Sequence, residues 1–152
     1  MKKTGFKLQP GQVNMMKLRY CPVVGCAVVS GGSVLLVKRS QQVAFYKGYW
    51  SGPFGFLDDQ KTVRQKVLEE ICKEIGIQKK DMISVAVGEP FASENKRGRK
   101  VFIVFPVKVE IRSKEIKIDW EATSYAWVEN VSLSKRRVVP NFYRVLARFG
   151  IS

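Results

Sequence analysis

Two glutamates near the middle of the chain stand four residues apart, at Glu70 and Glu74. In an α-helix, side chains at that spacing project from the same face, about one turn apart. With a loop acid at Asp58 or Asp59, they could bind Mg²⁺ through carboxylate oxygens and water. A bound metal would polarise a phosphoryl group or activate a water molecule. By itself, such a glutamate pair is more typical of a solvated helix face.

The residues around this pair predict the elements that position it. Apolar residues recur at helical spacing over residues 62–75, and Gly76 provides a C-terminal stop. Before this helix, residues 50–57 form a glycine-rich stretch that predicts a short extended segment. An acidic loop joins the two. The glutamates are therefore expected on a helix that follows a strand.

Strands are predicted on both sides of this unit. Runs of apolar and β-branched residues predict strands at residues 18–30, 33–39, 83–93, 101–111 and 124–128. A last helix is predicted from Phe142 to Phe149, with Asn141 as its cap. We expect one α/β domain over residues 18–152, preceded by a basic arm, residues 1–17.

The composition restricts the classes of function. The chain has 152 residues with 27 Lys and Arg against 13 Asp and Glu, a formal charge of +14 that attracts polyanions. It contains no histidine, which excludes His-containing catalytic triads and His-ligated zinc. No apolar run approaches the ~20 residues of a membrane helix. Its cysteines lack CxxC spacing, so we expect reduced thiols in a cytoplasmic protein without a membrane partner.

The spacing around the glutamate pair resembles the Nudix box of the Nudix hydrolase superfamily. That motif is a glycine, five residues, an acid, seven residues and then Arg-Glu-U-x-Glu-Glu-x-Gly-U, where U is aliphatic. The chain matches it at Gly55, Glu70, Ile71, Glu74, Gly76 and Ile77. Flanking segments from about residue 20 to 150, among them 34–40 and 119–128, are similar as well. The resemblance implies a Nudix-type α/β/α sandwich with a mixed β-sheet.

Three positions of the box carry the opposite charge. Lys61 replaces the first acid, Glu69 the arginine, and Lys73 one of the paired glutamates. In the family, the position of Lys73 belongs to the helical metal cluster, so an ammonium stands where a ligand is expected. A unit charge ~5 Å from a divalent ion is worth roughly 2–7 kcal/mol. We therefore expect at most one weakly held ion, with the ligands Asp58, Glu70 and Glu74.

The reversed charges suggest a second interpretation. Glu69 and Lys73 stand at i,i+4 in the favourable order, worth about 0.2–0.5 kcal/mol on an exposed helix. Together with Lys61, they would preserve the ion pairs of the box with the sign of every charge reversed. Simple drift on a solvated face is the alternative.

The sequence leaves two main functions open, with a protein–protein module as a third. One is a non-catalytic or weakly active binder of a polyanion, either RNA, a ribonucleoprotein or a nucleotide, without a required cofactor. Its phosphate ligands would be Lys61, Lys66 and Lys73. The other function, implied by the resemblance, is Mg²⁺- or Mn²⁺-dependent hydrolysis of a nucleoside diphosphate linked to another moiety. Its catalytic residues would be Glu69, Glu70 and Glu74.

Further basic residues are candidates for nucleic-acid contacts. They are Lys96, Arg97, Arg99, Lys100, Lys135, Arg136 and Arg137. Three aromatic residues, Phe45, Tyr46 and Tyr49, would offer faces on which bases stack. Packing in the core is the alternative role of these rings.

Overall fold

The structure is a computed structural model that describes residues 10–95 and 99–152. Its strands are β1 (Tyr20–Ser30), β2 (Ser33–Arg39), β3 (Trp50–Ser51), β4 (Phe54–Phe56), β5 (Met82–Val87), β6 (Phe91–Asn95), β7 (Lys100–Ile111) and β8 (Ala122–Val128). Helix α1 covers residues 63–74 as three consecutive parts, α-helical Val63–Lys66, π-helical Val67–Ile71 and α-helical Cys72–Glu74. Helix α2 is Pro140–Ala147, and two short 3-10 turns are Met15–Lys17 and Lys79–Asp81.

The strands form one mixed sheet around β1. This strand pairs in parallel with β7, from Tyr20 opposite Val101 to Val29 opposite Glu110. It also pairs antiparallel with β2 and with β4. β5 and β6 pair antiparallel with β7, whereas β3 and β8 pair antiparallel with β2. The sheet is therefore mixed, as predicted.

Alternating side chains of β1 contribute to two separate apolar layers. Val23 packs in the layer that contains Phe142 of α2, and Val24 packs in the layer that contains Ile71 of α1. The alternation follows from the period of two along a strand. Cys21 and Cys26 likewise lie in different layers, as their odd spacing predicts. Because each layer is covered by one helix, the predicted α/β/α sandwich is confirmed.

Most predicted elements are found, with two differences. The predicted strand 83–93 is two strands separated by residues 88–90, where Pro90 has no amide hydrogen to donate to the sheet. Asn141 does not cap α2. The helix starts two residues earlier, with Pro140 in its first turn, where the missing amide hydrogen costs nothing.

The predicted basic arm, residues 1–17, is described only from residue 10. Within that part, Met15 is buried and the Val13 amide donates to the Asp58 carbonyl oxygen at 2.6 Å. The segment before β1 thus packs against the loop that precedes α1. In the described part of the chain, neither helix has the length and hydropathy of a membrane-spanning segment.

Candidate functional site

Helix α1 is held in place at its start and along its apolar face. The Thr62 hydroxyl accepts the Gln65 amide at 3.2 Å, and the Gln65 side chain accepts the Thr62 amide at 2.9 Å, which is a capping box. Val67 and Ile71 are buried against the sheet. Between these two residues the helix makes a π turn, which rotates the following residues relative to the first part of the helix. Glu70 and Glu74 consequently have different nearest neighbours.

A buried lysine lies among three carboxylates at the start of α1. The Lys66 ammonium is 3.0 Å from Glu70, 3.2 Å from Asp58 and 3.4 Å from Asp59. Only 4% of its side chain is exposed. The Lys61 ammonium binds Glu70 at 2.6 Å and lies 3.9 Å from Asp59. We call these five residues the lysine cluster.

The surroundings favour the charged forms of Lys66 and Asp59. Burial lowers the pKa of Lys66, but the hydrogen bond to Glu70 and the charge of Asp58 outweigh it, so the pKa is raised overall. Gln12 donates to the other oxygen of Asp58 at 2.7 Å. Desolvation raises the pKa of Asp59, yet the Lys61 amide and the Lys66 charge lower it by more. Lys66 is therefore a protonated, internal counter-ion at neutral pH.

Three other carboxylates meet at the opposite end of α1. Oxygen atoms of Glu74, Asp119 and Glu121 all lie within 4.8 Å of one another, and we call these residues the acidic cluster. The loop before β8 is held by the Ser40 amide, which donates to the Glu121 carbonyl at 2.9 Å. Carboxylates at such separations can bind one divalent ion through oxygen, as Mg²⁺ requires.

Burial and mutual repulsion raise the pKa of two carboxyls in the acidic cluster. Burial, followed by the charges of Glu121 and Asp119, raises the pKa of Glu74 to about 8. The pKa of Glu121 is also raised, chiefly by burial and Asp119, and the nearby Arg39 opposes this shift. Glu74 itself has an exposed surface, so water screens part of the repulsion. Like charges held together in this way are typical of sites that bind a cation or a proton.

The sequence of the chain matches a known protein family over most of its length. The family model of the NUDIX domain matches residues 19–149. The chain belongs to the NUDIX domain family. No curated protein sequence matches it closely enough to add to this assignment.

Solved NUDIX structures share the fold at low sequence identity. The MutT NUDIX hydrolase from Burkholderia pseudomallei is 18% identical, with a TM-score of 0.70 over 86% of this chain and 98% of that one. The NUDIX domain of Shewanella oneidensis NrtR, complexed with ADP ribose, is 14% identical, with a TM-score of 0.69 over 98% and 91%. A C. elegans Ap4A hydrolase binary complex is 18% identical, with a TM-score of 0.65 over 85% and 94%. At these identities the likeness establishes the fold.

The NUDIX helix separates the predicted metal ligands. Asp58 and Glu70 are bound to Lys66, whereas Glu74 lies with Asp119 and Glu121. The structure thus places Asp58 and Glu70 beside an ammonium and Glu74 beside two other acids, and the binding of one ion by all three stays a prediction. The two acids near residue 120 were not predicted as ligands, although their segment was noted as similar to the family. The signal in the sequence was the pair Asp119 and Glu121, with one residue between them, just before a predicted strand.

The lysines of the NUDIX box also differ from expectation. Lys66 is buried, with no exposed face for a phosphate, so the predicted phosphate contact does not fit it. Lys61 is partly exposed and Lys73 is exposed, and their phosphate contacts stay predictions. Within residues 10–95 and 99–152, neither forms an ion pair with Glu69. The predicted inverted ion pairing is thus wrong, because Lys61 pairs with Glu70 instead.

The predicted nucleic-acid contacts fall into three groups. Lys96 and Arg97 lie outside the described residues. Lys100 is buried, and its ammonium donates to the carbonyl oxygens of Met15 and Leu18, so a nucleic-acid contact does not fit it. The others, Arg99, Lys135, Arg136 and Arg137, remain at the surface.

Of the three aromatic candidates, two remain available for stacking. The Phe45 ring packs edge-on against buried Phe102 at 5.3 Å, so its alternative role in the core is the one observed. Tyr46 and Tyr49 contact each other at 5.2 Å and are half-buried.

The acidic cluster predicts a pH-dependent stability. A carboxyl whose folded pKa is raised stabilises the protein below its unfolded pKa, and that stability is lost as pH rises toward the folded pKa. For Glu74 the window is from about 4.5 to about 8. We expect Glu74→Gln to flatten the fall in unfolding free energy across this window, as measured by urea denaturation from pH 5 to 9. Glu69→Gln, on the same helix but outside the cluster, is the control, and an equal flattening in both variants would contradict the prediction.

Proposed function

We propose that this NUDIX protein binds a diphosphate-containing nucleotide without efficient hydrolysis. The observation that supports this most is the Lys66 ammonium, bonded to Asp58, Asp59 and Glu70 at 3.0 to 3.4 Å. This side chain supplies the positive charge that a divalent ion would otherwise supply to those carboxylates. Because Lys66 is covalently attached and buried, a divalent ion would have to displace its ammonium from the three carboxylates. The ion would also lose its own hydration on entering the site.

The comparisons support a nucleotide as the ligand. One structural neighbour is complexed with ADP ribose and another is named an Ap4A hydrolase. Both names denote an adenosine joined through phosphates to a second group, and a protein of charge +14 attracts such anions. Positive charge for the phosphates is present on α1 at exposed Lys73 and in the preceding loop at partly exposed Lys61. Larger polyanions such as RNA or a ribonucleoprotein share this chemistry.

A calorimetric titration with ADP-ribose tests the proposal. We expect binding that persists in EDTA, with no AMP formed when Mg²⁺ or Mn²⁺ is added. Lys73→Gln should weaken binding by roughly tenfold, because one charge-assisted phosphate contact is lost. Lys79→Gln, a matched change of an exposed lysine after α1, should bind normally. Binding that requires a divalent ion, together with steady AMP release, would overturn the proposal.

The acidic cluster favours a second candidate, a NUDIX hydrolase that uses one ion. Its three carboxylates fit a single Mg²⁺ or Mn²⁺ in number, oxygen chemistry and separation. Such an ion, when bound, supplies Lewis-acid polarisation of a phosphoryl oxygen and a water of lowered pKa. The chain itself orients Glu74 on α1 against Glu121, and Arg39 offsets part of their charge. Metal-dependent turnover abolished by both Glu74→Gln and Glu121→Gln would establish this candidate.

A further inference from the structure

Two segments that are distant in sequence lie side by side at the start of β3. The Trp50 amide donates to the Arg137 carbonyl at 2.7 Å, and the Val139 amide donates to the Trp50 carbonyl at 2.9 Å. Trp50 and Val138 form a parallel bridge. The backbone therefore holds the basic residues 135–137 beside the aromatic residues of segment 46–50.

In this arrangement each arginine side chain lies over an aromatic ring. The Arg136 guanidinium is 4.8 Å from the ring centre of Trp50, and the Arg137 guanidinium is 4.9 Å from that of Tyr49. The Tyr46 ring contacts the Tyr49 ring at 5.2 Å and 66°. Cation–π contacts of this kind keep the guanidinium groups at a defined place on the surface. We call these five residues the arginine–aromatic strip.

The charges of the strip are not neutralised by carboxylates. Every ion pair within the described ranges belongs to the lysine cluster, so Arg136 and Arg137 have no acidic partner there within 4.0 Å. Residues 1–57 and 130–152, which contain both segments of the strip, hold thirteen Lys and Arg and no Asp or Glu. Nearly all the excess charge of the chain thus comes from these acid-free ends.

We propose that the arginine–aromatic strip is a binding surface for single-stranded RNA. Unpaired bases stack on aromatic rings and guanidinium planes, and phosphates pair with the same guanidinium groups. Double-stranded RNA keeps its bases stacked inside the helix, so it could use only the charges. An acidic peptide could pair with the guanidinium groups but offers no base faces for the rings. The proposal does not rest on the nucleotide site, because none of the strip residues belongs to either cluster.

Fluorescence anisotropy with a labelled 12-nucleotide oligouridylate and the full chain tests this surface. We expect Arg136→Ala/Arg137→Ala to weaken binding by roughly 10- to 100-fold at low salt. The slope of log K against log salt should fall by about 1.4, as for two single-strand phosphate contacts. Arg136→Lys/Arg137→Lys keeps the charge but not the planar stack, and should still weaken binding several-fold. Should the alanine variant not fold, this lysine variant carries the test.

The matched control is Lys79→Ala/Lys80→Ala, which removes two exposed charges after α1. We expect it to change RNA binding by less than about threefold, as for the loss of unspecific surface charge. Equal weakening by control and strip variants would overturn the proposal, since net charge alone would then explain binding. Tighter binding to double-stranded RNA, oligothymidylate, polyglutamate or anionic vesicles would also overturn it. ADP-ribose binding, measured in the same variants, should be unchanged, which separates this result from the nucleotide proposal.

Discussion

Replacing Lys66 by Met is expected to destabilise the protein by roughly 3–5 kcal/mol at pH 7, the usual loss when one partner of a buried ion pair is removed. Met fills nearly the same volume, but it leaves Asp58, Asp59 and Glu70 close together without their shared cation. Such a loss is a large fraction of the stability of a typical domain. Urea denaturation of wild type and variant measures it directly.

The destabilised variant should recover under two conditions. The Lys66 charge helps to lower the pKa of Asp59, so without it this carboxyl is protonated more readily and part of the lost stability returns as pH falls. Mn²⁺ should also stabilise the variant more than wild type, by about 2.7 kcal/mol at one hundred times its Kd. The second effect would show that the ammonium occupies a place that a divalent ion can take.

Lys61→Met is the matched control for this experiment. Its ammonium also contacts Glu70, but a third of the side chain is exposed. An exposed ion pair contributes about 0–1 kcal/mol, so the loss should be small. If Lys66→Met cost no more than Lys61→Met, the view of Lys66 as an internal counter-ion would be wrong.

Restoring the charges of the NUDIX box is expected to create metal-dependent activity. In the variant Lys61→Glu/Glu69→Arg/Lys73→Glu, two ammonium groups are replaced by carboxylates. The change at Lys61 removes an ammonium from Glu70, and a reversal close to an ion is worth several kcal/mol even at high effective dielectric, so affinity for Mn²⁺ should rise by powers of ten. We expect Mn²⁺-dependent hydrolysis of ADP-ribose at least a hundredfold above that of wild type.

Two further variants make this experiment specific. Lys79→Glu changes the net charge by the same amount outside the box and should remain inactive. Glu74→Gln in the restored variant should abolish the new activity, because Glu74 is the box carboxylate in the acidic cluster. Equal hydrolysis by wild type and restored protein would mean that the three reversed charges are not what limits catalysis.

Local features of this protein followed from sequence spacing. The apolar repeat over residues 62–75 predicted α1, and the run of apolar and β-branched residues over 18–30 predicted β1, because both patterns are local properties of the chain. The Nudix box predicted the fold that the family match and the sheet both show. The i,i+4 contact between Lys66 and Glu70 is also of this local kind.

The composition of the two clusters depended on tertiary structure. Lys66 meets Asp58 because the loop before α1 folds back over the helix, where Gln12 and Val13 hold it. Glu74 meets Asp119 and Glu121 because β8 pairs with β2, which brings the preceding loop to the end of α1. Spacing along one helix specifies which of its own side chains are neighbours. Which charges from other segments come within 4 Å of them, and so whether an ammonium or a metal ion balances the carboxylates, depends on the paths of the loops.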